Sequence, residues 1–480
     1  TVRTCRVSSP GIITRMCAPA KWDPGDHLGL DIPADADALR DGGTAFLTEA
    51  FRRAGALGAD NAVVNLELAE FRGGSTGRKA QLTVSYGKPC DLPGELFVKF
   101  SRDFDDPGRD LGRSQMALEV RFALLTRTPG FPIAVPRCLF ADFHDGSGTG
   151  LLVTDRIQYG CNGIEPKYHK CTDHSMPDPL GHYRAVFTAL ACLAGTHKAG
   201  DLSDRDFSVD MRQLSVGERA PHTPEQLQRR VDQLTEFATR QPELLPANTV
   251  APEFLSRLRA DVALIPGRVD RLWELLGADR DYVALCHWNA NVDNAWFWRD
   301  RDELACGLLD WGCVGEMNLA MAIWGCLCSA ETDMWNNHLD SLLEHFIVEY
   351  AAAGGPRLDA NTLRTHLIGY VAIMGTAWLL DVPRFLQQLL PDPVTDRFDA
   401  RIADSEQARS RLLMMTNFLN LWERFDVRGG LAGPPSEIAR VRMSSSPTSS
   451  RSSRLRSAAS GIRLSSLNER ASVTSNHLST

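Results

Sequence analysis

Residues 284–298, ALCHWNANVDNAWFW, set a short apolar run against a knot of His287, Trp288, Asn289, Asn291, Asp293 and Asn294, then return to aromatics. Amides and carboxylates suit a turn, because both bond to nearby backbone and tolerate unusual backbone angles. Sixteen residues after Asn294, residues 306–312, CGLLDWG, place Asp310 directly behind another apolar run. Two strand-like pieces thus each deliver a metal-capable oxygen side chain to a loop, and that pairing marks a candidate site.

Bulk properties limit what the site belongs to. A chain of 480 residues is long enough for two or three units with their own cores. Its hydrophobic share of 43% and charged share of 23% are those of an ordinary globular protein. A net charge of −8 argues against nucleic acid as a partner, since phosphate binding needs a basic face. The run LIGYVAIMGTAWLL from Leu367 is too short to span a bilayer and reads as a buried helix, so no membrane partner is expected. The 12 cysteines are scattered without a CxxC pair, which points to a reducing, cytoplasmic setting.

The hydrophobic period changes along the chain. Residues 1 to about 30 carry Pro, Gly and Cys without a period and read as a loose arm. Leu39, Phe46, Leu47, Ala50, Phe51 and Ala54 then recur at helical spacing. From Ala62, AVVNLELAEF, AQLTVSYG and ELFVKF are short, rich in β-formers and separated by Gly and Pro clusters, as in an antiparallel meander. RSQMALEVRFALLTRT returns to helical spacing, and AVPRCLFADF and GLLVTDRI return to strands. Beyond Ile157 the pattern is mostly helical, as in HYRAVFTALACLAGTH and EFLSRLRADVALIPGRVDRLWELL. Past about Pro435 the chain is Ser- and Arg-rich, too polar to bury a core, and reads as a disordered tail. The expected units are 1–44 as arm and start of the first helix, 45–157 as a small sheet unit, 158–435 as a helical unit, and 436–480 as tail.

This order of elements and loops resembles the aminoglycoside phosphotransferase and choline kinase superfamily, over roughly residues 45 to 430. The family's catalytic loop reads H-G-D, four residues, N, and its metal loop reads apolar-apolar-D-W. HWNANVDN places His287, Trp288, Asn289 and Asn294 on the first pattern, and LLDWG places Asp310 on the second. The resemblance implies an α+β, bilobal protein-kinase-like fold: a small antiparallel sheet with one helix, and a larger, mostly helical lobe. It implies ATP and Mg²⁺ as cofactors, with Asn294 and Asp310 on the metal.

The remaining assignments follow the same resemblance. Gly73, Gly74, Ser75, Thr76 and Gly77 stand where a glycine-containing hairpin covers the ATP phosphates, since small residues let backbone amides approach an anion. A plain hairpin turn is the alternative reading. Lys99 in LFVKF stands for the lysine on the α- and β-phosphates, against the alternative of an edge-strand lysine reaching water. Glu119 in MALEVRF stands for the glutamate that orients it, and Thr154, Asp155, Arg156 and Ile157 for the hinge beside adenine. His287 is implied to brace the loop, and the tryptophans to pack. Cys161, His169, Cys171 and His174 are zinc-capable types without the paired short spacing of zinc modules, and a loop near the substrate is the preferred reading.

The departure is Asn289. The family's aspartate at this position handles the proton of the acceptor hydroxyl, and an amide is no base. General-base catalysis contributes about 10²- to 10⁴-fold, whereas phosphoryl transfer owes more to positioning and charge neutralisation. Asp293, four residues on, is the other carboxylate that stands close enough in sequence to substitute. Three activities fit: phosphotransfer to a small hydroxylated or amino compound, nucleotide binding without transfer, and nucleotidyl transfer. The acceptor's identity and the oligomeric state are not encoded in any pattern of this chain.

Overall fold

The structure, a computed structural model, describes residues 21–71, 77–202, 206–214 and 222–428. The tail expected from 436, and Gly73, Gly74, Ser75 and Thr76, lie outside the described residues. The chain divides into two compact units. One holds residues up to Ala117 with Leu139–Val153; the other holds Leu118–Cys138 and Thr154 onward. A single cut near residue 157 misses that 118–138 belongs to the helical unit.

In the first unit, strands Val63–Phe71, Arg78–Tyr86 and Glu95–Phe100 pair antiparallel in sequence order. Thr149–Asp155 and then Cys138–His144 complete a five-stranded sheet, which places Glu95–Phe100 in its centre. Alternation shows in Arg78–Tyr86, where Ala80, Leu82 and Val84 are buried. Helix Ala36–Arg53 starts because the Asp35 carboxylate accepts from the Ala38 N–H at 2.8 Å. Gly43, at φ 59°, kinks it. Its Leu39, Leu47 and Phe51 join Leu82, Leu96, Val98 and Phe140 in one core, each worth about 1.5–3 kcal/mol of burial.

The arm is corrected in its described part. Trp22–Pro24 pairs antiparallel with Asp31–Pro33. The Asp142 carboxylate accepts from the His27 and Leu28 N–H groups at 2.9 and 3.0 Å. Those partners lie more than a hundred positions away, so no local period could announce them.

The second unit is built on helices, among them Pro179–Ala199, Pro224–Arg240, Leu319–Leu327, Leu339–Ala352, Ala360–Ala377 and Glu406–Arg424. LIGYVAIMGTAWLL lies mainly in Ala360–Ala377, whose residues from Leu367 to Thr376 are buried. The stretch from Glu253 splits into Pro252–Val262 and Val269–Ala278 around Pro266, which cannot donate to a continuing helix. Two antiparallel ribbons are set among these helices: Val283–His287 with Val314–Asn318, and Ala295–Asp300 with Glu303–Leu308. Their ends carry the two polar loops.

Candidate functional site

Each loop continues a strand whose last residues are buried. Val283–His287 is buried along its whole length and pairs His287 opposite Val314. The Trp288 N–H extends the pairing to Cys313 O at 3.0 Å. Residues 288–294 therefore start from a fixed point, and a short 3-10 turn at Val292–Asn294 leads into the next strand. The second loop starts where Glu303–Leu308 ends, with the Leu308 N–H on Ala134 O at 3.0 Å.

His287 joins the loops. The Asn289 N–H donates to its Nδ1 at 3.3 Å, so Nε2 carries the proton and donates to Leu309 O at 3.0 Å. The ring is fully buried and stacks on Trp311 at 4.3 Å, and Trp311 stacks on Phe122 at 3.9 Å. Burial pushes the imidazole down to about 4, so it is a neutral brace and not a base at neutral pH. The Leu309 N–H returns a bond to Asn294 O at 2.9 Å. These reciprocal bonds hold the residue before Asp310 against Asn294.

The amides have defined ends. Asn294 Nδ2 donates to Asn289 O at 2.9 Å, which leaves Oδ1 as the end offered to a ligand. Ser329 Oγ donates to Asn291 Oδ1 at 2.6 Å, and Asn291 Nδ2 donates to Asn289 Oδ1 at 2.8 Å. Asn289 therefore presents its NH₂: the position offers a donor where a base would offer an acceptor. Asp310 has φ 63° and ψ 64°, a left-handed conformation costly for a residue with Cβ and characteristic of functional loops. A carboxylate and a neutral amide oxygen on interlocked loops are the oxygen donors that Mg²⁺ takes, with water and phosphate completing its shell.

Trp288, in place of the family's glycine, is 6% exposed, and its Nε1 donates to Tyr370 Oη at 2.7 Å. It is a packing residue, as the resemblance implies. Helix Leu319–Leu327 reaches this loop only because residue 325 is glycine: a Cβ there would sit 1.5 Å from Trp288 O. Sequence reading missed Gly325, although a lone glycine within an apolar helical pattern is a signal of close approach.

Asp293 lies beside a residue from the Cys- and His-containing loop. Lys170 Nζ is 3.8 Å from its Oδ2, with the side chains 18% and 16% exposed respectively. Burial raises the carboxyl above its usual range, partly offset by Lys170. The backbone around Lys170 is set by Cys171 at φ 63° and by the Arg409 Nε bond to Lys170 O at 2.9 Å. Cys171, Thr172 and Arg409 also line a cavity of about 480 Å³ with Glu331, Arg397 and Phe398. Cys161 is exposed, and among the described residues no group of three metal-capable side chains converges.

The other assigned residues lie as follows. Lys99 is 1% exposed in the central strand, which removes the edge-strand alternative. Gly77 lies against that strand, where a Cβ would come 2.2 Å from Phe100 O and 3.8 Å from Lys99 Cε. Glu119 is buried in helix Arg109–Leu125. At the hinge position Thr154 is buried and Arg156 exposed, and the Asp155 N–H is already committed to Arg137 O at 3.0 Å. Burial pushes the Asp155 carboxyl up to about 6.

No protein-family model matches this chain, and no curated protein does. Among solved structures it is similar to a choline kinase from Cryptosporidium parvum, at 12% identity over 74% of this chain and 88% of that one, with a TM-score of 0.38. A choline/ethanolamine kinase family protein from Mesorhizobium loti matches at 16% identity over 74% and 92%, TM-score 0.35. Spectinomycin phosphotransferase APH(9)-Ia, solved with ADP and spectinomycin, matches at 13% identity over 75% and 92%, TM-score 0.34. With TM-scores below 0.5 these are likenesses only.

Proposed function

We propose that the chain is an ATP-dependent phosphotransferase acting on a small hydroxylated or amino compound. The observation that carries this reading is the interlock of the two loops, in which the Leu309 N–H on Asn294 O and the His287 ring on Leu309 O hold the backbone beside Asp310 against that of Asn294. Such a pair would hold Mg²⁺, which when bound neutralises charge on the β- and γ-phosphates. In this reading Lys99 serves the α- and β-phosphates, Glu119 orients it, and Asn289 donates to an oxygen of the acceptor or the transferred group. A cytoplasmic setting is part of the same proposal.

A second reading, nucleotide binding without efficient transfer, is favoured by one observation: position 289 carries an amide, which is no base, and its Oδ1 already accepts from Asn291 Nδ2 at 2.8 Å. Mass analysis after incubation with Mg-ATP separates the readings: a phosphate gain on an acceptor, an AMP gain, or binding alone. Asp310→Ala is expected to weaken Mg-dependent ATP affinity at least tenfold and to leave the far-ultraviolet spectrum unchanged. Unaltered affinity would remove the metal role of Asp310.

A further inference from the structure

Resting on that reading, we infer that Lys79 is a second cation for the nucleotide's polyphosphate, placed beside Lys99 by the register of the sheet. In the pairing of Arg78–Tyr86 with Glu95–Phe100, Lys79 stands directly opposite Lys99. Residues opposite one another in an antiparallel pair share a face, with Cβ atoms about 4.5–5.5 Å apart. Burial decides which face this is. Ala80, Leu82 and Val84 point into the core that helix Ala36–Arg53 covers, so Lys79, Gln81 and Thr83 point to the other side. Lys79 and Gln81 are half-buried there, and Thr83 is exposed. The sheet thus sets two ammonium groups side by side on its open face.

Like charges directly opposite one another destabilise a sheet. An anion of several charges lying against both reverses the sign of that effect, and a triphosphate is such an anion. Gly77 is a separate observation that points to the same place. It lies two residues before Lys79, and a Cβ on it would come 2.2 Å from Phe100 O and 3.8 Å from Lys99 Cε. The Lys99 stem therefore runs beside a residue without a side chain, where a ligand's charged groups can approach the backbone closely. Arg78, between Gly77 and Lys79, takes no part. Alternation turns it to the opposite face, where it is committed to Glu70 and, at 2.7 Å, to Asp103. The register, and not the sequence pattern around Lys79, selects this lysine as the partner of Lys99.

The test titrates the full chain with Mg-ATP and with inorganic tripolyphosphate. Lys79→Met keeps an apolar stem and removes the charge. It should weaken both ligands alike, by about three- to tenfold, and the loss should shrink as salt is raised from about 0.05 to 0.5 M, because screening removes the contribution of a partly exposed charge. Lys79→Arg, which restores the charge, should bind tripolyphosphate within about twofold of the parent. A lysine that only packs would give a loss that salt does not change and that arginine does not repair, and either result overturns the assignment. Lys99→Met separates this inference from the reading on which it rests. If Lys99→Met loses Mg-ATP affinity while Lys79→Met binds both ligands as the parent does, Lys79 is a solvated lysine and the assignment falls while nucleotide binding stands. A parent protein that binds neither Mg-ATP nor tripolyphosphate overturns both.

Discussion

Asn289 and His287 show how one loop separates bracing from chemistry. Because burial holds His287 near 4, against about 6.5 in an unfolded chain, the folded state excludes a proton that the unfolded state binds between those values. Stability from this group is present above about pH 6.5 and is lost as pH falls toward 4, at a cost on the order of 3 kcal/mol. His366, also pushed to about 4 by burial, acts in the same direction. Asp173, pushed up to about 6, acts in the opposite one, since its folded form keeps a proton that the unfolded form releases. A comparison with His287→Gln isolates the one group. The stability advantage of the parent, measured by urea unfolding, should grow from pH 4 to pH 6.5 and be level above. An advantage that stays constant across that range would show that folding leaves the proton equilibrium of His287 unchanged.

Helix Leu319–Leu327 is the element that seats the loop. Its Asn318 cap accepts from the Ala320 N–H at 2.9 Å, and its glycine lets Trp288 O approach the helix backbone. Gly325→Ala puts a methyl carbon where a main-chain oxygen already lies, and neither a flexible side chain nor empty space is there to yield. Overpacking of this kind typically costs about 1–3 kcal/mol. The expected outcome is a lower urea midpoint together with weaker Mg-ATP binding, because the loop must shift to make room. Substitution to alanine in an exposed helix would raise stability by roughly 0.5–1 kcal/mol. A higher midpoint in Gly325→Ala would therefore refute the close approach.

At the scale of the whole chain, the two units carry separate cores, one around Leu82, Leu96 and Phe140 and one around Trp324, Trp335 and Trp422. The Ser- and Arg-rich composition after Pro435 holds too little apolar surface to offset the entropy of ordering it. A chain ending at Pro435 is expected to melt within about 2 °C of the full one, and to show the same rise in melting temperature with saturating Mg-ATP. A drop of several degrees in the shortened chain would show that the tail contributes to the folded core.

What the sequence determined by itself is what repeats over short distances or stands in a fixed order. The periods of Val63–Phe71, Arg78–Tyr86 and Glu95–Phe100, the helical spacing of Ala36–Arg53 and Pro179–Ala199, and the two polar loops behind apolar strands all follow from neighbours within a few residues. So did the placing of Asn289, Asn294 and Asp310 in loops. The tertiary structure alone decided which end of each amide faces outward, since Asn289 depends on Asn291 and Asn291 on Ser329, in another element. It decided that Lys170 meets Asp293, that Gly325 makes room for Trp288, and that Asp142 fastens the segment around His27. A hydrogen bond or a steric gap is set within a few ångström in space, by residues far apart in the chain, whereas hydrophobic periodicity reports only which side of an element faces inward.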